Sequence, residues 1–173
     1  MVEEAERKGV SFSEPIGADF FRQSDIAYLQ GLALDVDPKS TAKIAKTVRD
    51  KFPITFEESR NARFSLRNRI KVLGFEGHHS TLMLAFNRAC DLGLIEPMPV
   101  KEPRVPLDRN ELNVLAFSAM AYARSVIAQR LGISSEEVDK CKVSIAAKFG
   151  TETLFPVVAK VRRDVELQLQ RAE

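Results

Sequence analysis

LDRNELNVLAFSAMAYARSVIAQRLGISSEEVDKCKVSIAAKFGTETLFPVVAKV, residues 107–161, is the stretch that decides the fold. Asp108 followed three residues later by Glu111 is a capping-box pair, in which each side chain accepts the other residue's backbone amide at a helix start. Leu112, Leu115 and Ala119 then form an apolar stripe at helical spacing. A second helix is expected over residues 124–131, burying Val126 or Ile127 and Leu131. Gly132 makes the turn, and Ile133 plugs the core between helices. Ser134 caps a third helix, with Glu136 and Glu137 at its positive end and Val138, Cys141 or Val143, and Ile145 inward. Gly150 closes it. Thr153 is the expected cap of the last helix, which puts Pro156 in a first turn where a missing amide costs little. Val157, Val158, Val161 and Val165 give that helix its apolar face, and the residues after Glu166 read as a fraying continuation.

A looser copy of the same plan lies upstream. Ile26, Leu29 and Leu32 or Ala33 mark a short helix that ends at Asp35-Val36-Asp37-Pro38. Ser40 caps a second helix that buries Ile44, Ala45 and Val48. Thr55 caps a third through Glu57, Glu58, Ala62, Leu66 and Ile70, with Gly74 beyond its end. A fourth begins near Ser80 and carries Leu82, Met83, Ala85, Phe86 and Ala89. Between the copies, Pro97, Pro99, Pro103 and Pro106 fix φ and remove amide donors, which predicts a stiff extended connector. The expected organisation is all-α: an arm (1–20), a first unit (21–95), a proline-rich linker (96–106) and a second unit (107–173).

Composition narrows the function classes. With 173 residues, 45% hydrophobic and 29% charged, the chain is of ordinary globular make-up, with room for one domain or two small ones. A net charge of +2 does not by itself indicate nucleic acid, so any such case must rest on local clustering. No apolar run reaches the roughly 20 residues that span a bilayer, and the opening MVEEAERKG is unlike a signal sequence, so a cytoplasmic location is expected. Cys90 and Cys141 make no disulfide framework and read as buried structural thiols. There is no glycine-rich phosphate loop, no HExxH and no CxxC, and the adjacent His78 and His79 do not suit one metal site. Neither an enzyme, a metal nor a cofactor is expected.

The run from Leu107-Asp108 and Asn110-Glu111 through Val114-Leu115, Ile127-Ala128, Leu131, Ile133-Ser134, Val138, Ile145, Lys148-Phe149-Gly150 and Val157-Val158 resembles the helix-turn-helix DNA-binding domain of LuxR-type regulators. The first half resembles it more loosely, through Leu29, Ile44-Ala45, Ile54-Thr55, Ala62, Leu73-Gly74-Phe75, Thr81-Leu82 and Gly93-Leu94-Ile95. It departs by extra residues around 35–38 and 51–56 and by a longer last helix. The resemblance implies two tandem four-helix helix-turn-helix units in a bacterial or phage transcription regulator, cytoplasmic and associated with the nucleoid. It also implies a homodimer formed through the last helix, for which Leu154, Val158, Val161 and Val165 are the candidates.

In such a unit the third helix enters the major groove while nearby amides and basic residues hold phosphates. The first unit has the suitable charge. Arg60, Arg63, Arg67, Arg69 and Lys71 lie on its third helix, and Lys39, Lys43, Lys46, Arg49 and Lys51 lie on or beside its second. Arg60, Asn61 and Arg63 are the candidates for reading bases, because arginine pairs bidentately with guanine and asparagine with adenine. Arg67 and Asn68 repeat Arg60 and Asn61 seven residues on. Ser40 and the amides beside it could hold a phosphate, and His78 is a further contact candidate. In the second unit Glu136, Glu137 and Asp139 crowd the end that would face DNA, with Lys140, Lys142 and Lys148 in partial compensation. The second unit is therefore expected to serve assembly, or contact with RNA polymerase or another regulator. The rival expectation for the whole chain is a protein-interaction module, such as an antiactivator.

Overall fold

The computed structural model describes residues 16–75 and 77–172. Most of the expected N-terminal arm lies outside the described residues. Among those described there are eight α-helices and no strand, and one antiparallel bridge pairs His79 with Tyr122. The first four helices are α1 (Gln23–Ala33), α2 (Thr41–Val48), α3 (Phe56–Val72) and α4 (Thr81–Asp91). The second four are α5 (Arg109–Ala119), α6 (Arg124–Leu131), α7 (Ser135–Phe149) and α8 (Phe155–Ala172).

Local chemistry sets these boundaries. Asp108 forms the expected capping box with Glu111, and the expected caps Thr55 and Ser134 form capping boxes as well, with Glu58 and Glu137 as partners. Gly132 and Gly150 end α6 and α7 at φ of 65° and 74°, a region open to glycine at no steric cost. Thr153 is not the cap of α8. That helix starts at Phe155, and the Thr153 hydroxyl is instead donated to Asp35, 3.0 Å away.

Each half has a hub. In the first, α1 packs on α2, α3 and α4, while α2 packs on α3; in the second, α5 packs on α6, α7 and α8, while α6 packs on α7. The α1 hub is buried without a break from residue 27 to residue 33, which fits a helix enclosed on all sides rather than amphipathic. Gly31 lets α2 come close, since a Cβ at that position would sit 2.6 Å from Ile44 Cγ2. The α5 hub buries Glu111, Val114, Leu115 and Ser118, so the expected stripe is turned: Leu112 is 54% exposed. Val143, one of two alternatives for the inward face of α7, is 71% exposed. Ile16 and Phe21 belong to the core, so packed structure begins earlier than the expected boundary at residue 21.

The halves are packed together. α8 lies against α1 and α4, α4 touches α5, and one hydrophobic cluster runs through both halves. Phe86 and Phe155 meet edge to face at 5.0 Å across this contact. The linker carries no helix and is pinned along its length. The Gln30 side chain exchanges two hydrogen bonds with the Glu96 backbone, the Met98 amide donates to the Ala33 carbonyl, and the Arg104 amide donates to the Lys148 carbonyl.

The extra residues at 35–38 take part in this joining. Asp35 sits at φ 68°, and its carboxylate accepts the amides of Glu152 (2.7 Å) and Thr153 (2.8 Å) as well as the Thr153 hydroxyl. Glycine at this position removes the carboxylate without adding backbone strain. Asp35→Gly is expected to lower unfolding free energy by about 1.5–3 kcal/mol, the range for hydrogen bonds to a charged group, although glycine is at ease at positive φ. Chemical denaturation checks it, and a variant as stable as the native chain would show that the tie contributes no more than the backbone strain that glycine relieves.

Candidate nucleic-acid interface

α3 buries Ser59, Ala62, Leu66 and Ile70, a stripe of three- and four-residue steps. The opposite side therefore presents Arg60, Asn61, Phe64, Arg67 and Asn68, all exposed. Of the two acids in the first turn, Glu57 is exposed on this same side, one turn before Arg60 and Asn61, and Glu58 is committed to the Thr55 cap. Hydrogen bonds from the Thr55 backbone and hydroxyl hold the Glu58 carboxyl below its usual range. Arg60 lies 5.9 Å from the Phe56 ring centre and Arg63 lies 5.9 Å from that of Phe64, so each guanidinium rests beside an aromatic face. Among the described residues Arg60, Arg63 and Arg67 have no ion-pair partner.

The candidate residues divide by position. Arg63, Arg67 and Lys71, spaced four apart, run along one flank of α3 and line a common cavity. Arg69 is turned the other way: its guanidinium binds the buried Asp25 carboxylate and the Phe20 carbonyl, which removes it from the expected basic face. On α2, Lys46 is exposed without an ion pair among the described residues, and Lys43 is 3.3 Å from Glu152 in an exposed pair. Ser40 precedes α2 as expected, but its side chain makes no capping hydrogen bond. His78 is exposed, and its carbonyl accepts the Ala123 amide at 2.8 Å.

Sequence reasoning missed Phe64. It is 54% exposed in the middle of the outward face, flanked in sequence by Arg63 and one turn from Arg60 and Asn68. The signal was present: position 64 falls off the 59, 62, 66, 70 stripe, so a phenylalanine there cannot be core.

The second half differs in kind. Glu137 is the capping partner of Ser134, and Asp139 pairs with Arg124 at 2.6 Å, so two of the three acids at the start of α7 have structural partners. Lys148 is engaged within the chain. Its ammonium is 2.6 Å from the Glu111 carboxylate and 3.1 Å from the Pro106 carbonyl, because a capping glutamate buried to 3% exposure requires a counter-charge. Lys142 is half-buried, and burial lowers its pKa despite the opposing pull of Asp139. At the start of α8 and along it, Leu154, just before the helix, and Val158 are packed in the chain's own core, Val161 is half-buried, and only Val165 of the four candidate dimer residues is exposed.

The Glu111 site predicts a pH response. Burial alone would raise the carboxyl's pKa, but hydrogen bonds from Lys148, Ser144 and the Asp108 amide outweigh it and hold the group below the ordinary range. A lowered native pKa stabilises the fold fully above the unfolded value, about 4.3 for glutamate, and the gain is lost as pH falls through the native value. Thermal melts across the acid range should therefore show a decline that Lys148→Met makes shallower. An unchanged profile in that variant would remove Lys148 as the cause.

Among the described residues no group of three or more His, Cys, Asp or Glu side chains could hold a metal ion, and no helix is long and apolar enough to cross a membrane. Burial pushes the Cys90 thiol up to about 12, far from a reactive thiolate. Comparison with protein-family models, with curated proteins and with solved structures returns no match for this chain.

Proposed function

We propose that this chain is a sequence-specific double-stranded DNA-binding transcription regulator, built as two tandem four-helix helix-turn-helix units, in which α3 reads the major groove. One observation carries the reading: α3 exposes Arg60, Asn61, Phe64, Arg67 and Asn68 together, with the arginines free of carboxylates among the described residues. Arginine and asparagine offer bidentate pairing to guanine and adenine, and a phenylalanine between them suits a thymine methyl. The repeated packing plan supports the tandem, since in each half a hub helix holds a second and third helix that pack on each other. Lys46 and the start of α2 supply phosphate contacts.

The second unit contributes support rather than base reading, because Lys148 is committed to Glu111. A homodimer would pair through the outer end of α8, where Val165 and Leu167 are exposed, and not through Leu154 or Val158. RNA polymerase or another regulator is the expected protein partner, and a cytoplasmic site on the nucleoid follows from the same reading.

A rival reading, a protein-interaction module, draws on the exposed Phe56, Phe64 and Val72 of α3. Salt separates the two. For duplex binding, the logarithm of the affinity should fall linearly with the logarithm of salt concentration, with a slope near −0.9 for each phosphate contacted. Absence of duplex binding at low salt across a genomic fragment library would favour the protein module.

A further inference from the structure

Between the two halves lies a cavity of about 460 Å³ that shares Arg67 with the α3 face and is otherwise outside that reading. One wall is the flank of α3 that bears Arg63, Arg67 and Lys71; the others are the starts of α4 and α6, the latter carrying Arg124. Among the described residues no aspartate or glutamate lines it. Arg124 is partly neutralised by Asp139, whereas Arg63 and Arg67 have no ion-pair partner among the described residues.

The two helix starts are held side by side by the backbone. Around the His79–Tyr122 bridge, the Ser80 amide donates to the Ala121 carbonyl at 2.7 Å and the Ala123 amide to the His78 carbonyl at 2.8 Å. Ser80 and Ala123 are the residues at which α4 and α6 begin. Neither helix has an acid in its first turn, and Ala123 has no side-chain acceptor with which to cap α6. The positive ends of both helices thus add to the cationic side chains already lining one open cleft.

We propose that this cavity is a phosphate-binding site shared by the two halves, taking a phosphate monoester or diester group. Its volume lies within the range of small-molecule pockets, so the group belongs either to a free phosphorylated ligand or to a duplex backbone lying along α3. Only the second source rests on the DNA reading. In either case Arg124 and the start of α6 give the second half a part in binding, despite the acidic start of α7.

Ser125→Glu and Thr81→Glu each place a carboxylate in the first turn of one of the two helices, where it favours the helix and opposes an anion in the cavity. Both variants are expected to melt no lower than the native chain without ligand, which separates binding from folding. Inorganic phosphate and adenosine monophosphate are then compared with chloride at matched ionic strength. Because phosphate stabilises proteins generally by exclusion, the deciding quantity is the difference between native and variant chains.

A melting shift in the native chain that both variants lose assigns the site to a free ligand. With no such shift, weaker duplex binding by both variants, and a salt slope smaller by about one, assigns it to backbone phosphate. Variants that match the native chain in both experiments overturn the proposal. If the phosphate shift is present but the native chain binds no duplex, the cavity stands and the DNA reading falls.

Discussion

Arg60→Ala and Asn61→Ala should each weaken binding to the preferred duplex by about 1–3 kcal/mol and relax the base preference at one position, the magnitude for loss of a bidentate base contact. Both residues lie on the exposed side of α3, outside the buried stripe and outside the cavity between the halves, so neither change should disturb folding. Lys46→Ala provides the contrast. As a phosphate contact it should weaken all sequences alike and reduce the salt slope by about one. Quantitative mobility shifts on preferred and scrambled duplexes distinguish the two patterns. Equal losses on both duplexes for Arg60→Ala would make that arginine a backbone contact and move base reading elsewhere on the helix.

The largest effect on stability is expected at Arg69. The Asp25 side chain is 1% exposed, and its carboxylate both accepts the Arg22 amide at 2.8 Å at the start of α1 and binds the Arg69 guanidinium. Arg69→Ala strands that carboxylate in the core beside the hub helix. Breaking a buried ion pair from one side costs about 3–5 kcal/mol, because the remaining charge is left uncompensated. Arg69 also lies 4.7 Å from the centre of the Phe20 ring, and that packing goes with it. Chemical denaturation should show the loss. The double variant Asp25→Asn, Arg69→Met should recover part of it, since two neutral groups of similar shape avoid the unpaired charge. A single variant within about 0.5 kcal/mol of native, the spread of ordinary surface changes, would place the pair among weak surface bridges.

The helices were legible because their signals are local. The caps at Thr55, Asp108 and Ser134, and glycines at 74, 132 and 150, act within a few residues, and all stand where the sequence put them. What the sequence could not reveal depends on contacts between distant segments. Arg69 and Lys148 read as basic residues available to phosphate, yet each answers a buried carboxylate, Asp25 and Glu111, 44 and 37 residues away in the chain. Thr153 fits a capping pattern, but Asp35, 118 residues upstream, takes its hydroxyl. The residues around position 35, which depart from the resembled pattern, make one of the contacts that join the halves. Leu112 was placed inward by its spacing, while the hub helix buries the Glu111 cap and turns that stripe by one position.

The most direct test is selection of random-sequence duplexes by the purified chain at low salt, run beside the Arg60→Ala, Asn61→Ala double variant. Enrichment of a defined motif by the native chain, lost in the double variant while its melting temperature is kept, is the expected result. No enriched motif from the native chain, or the same motif from both proteins, would contradict base reading by α3.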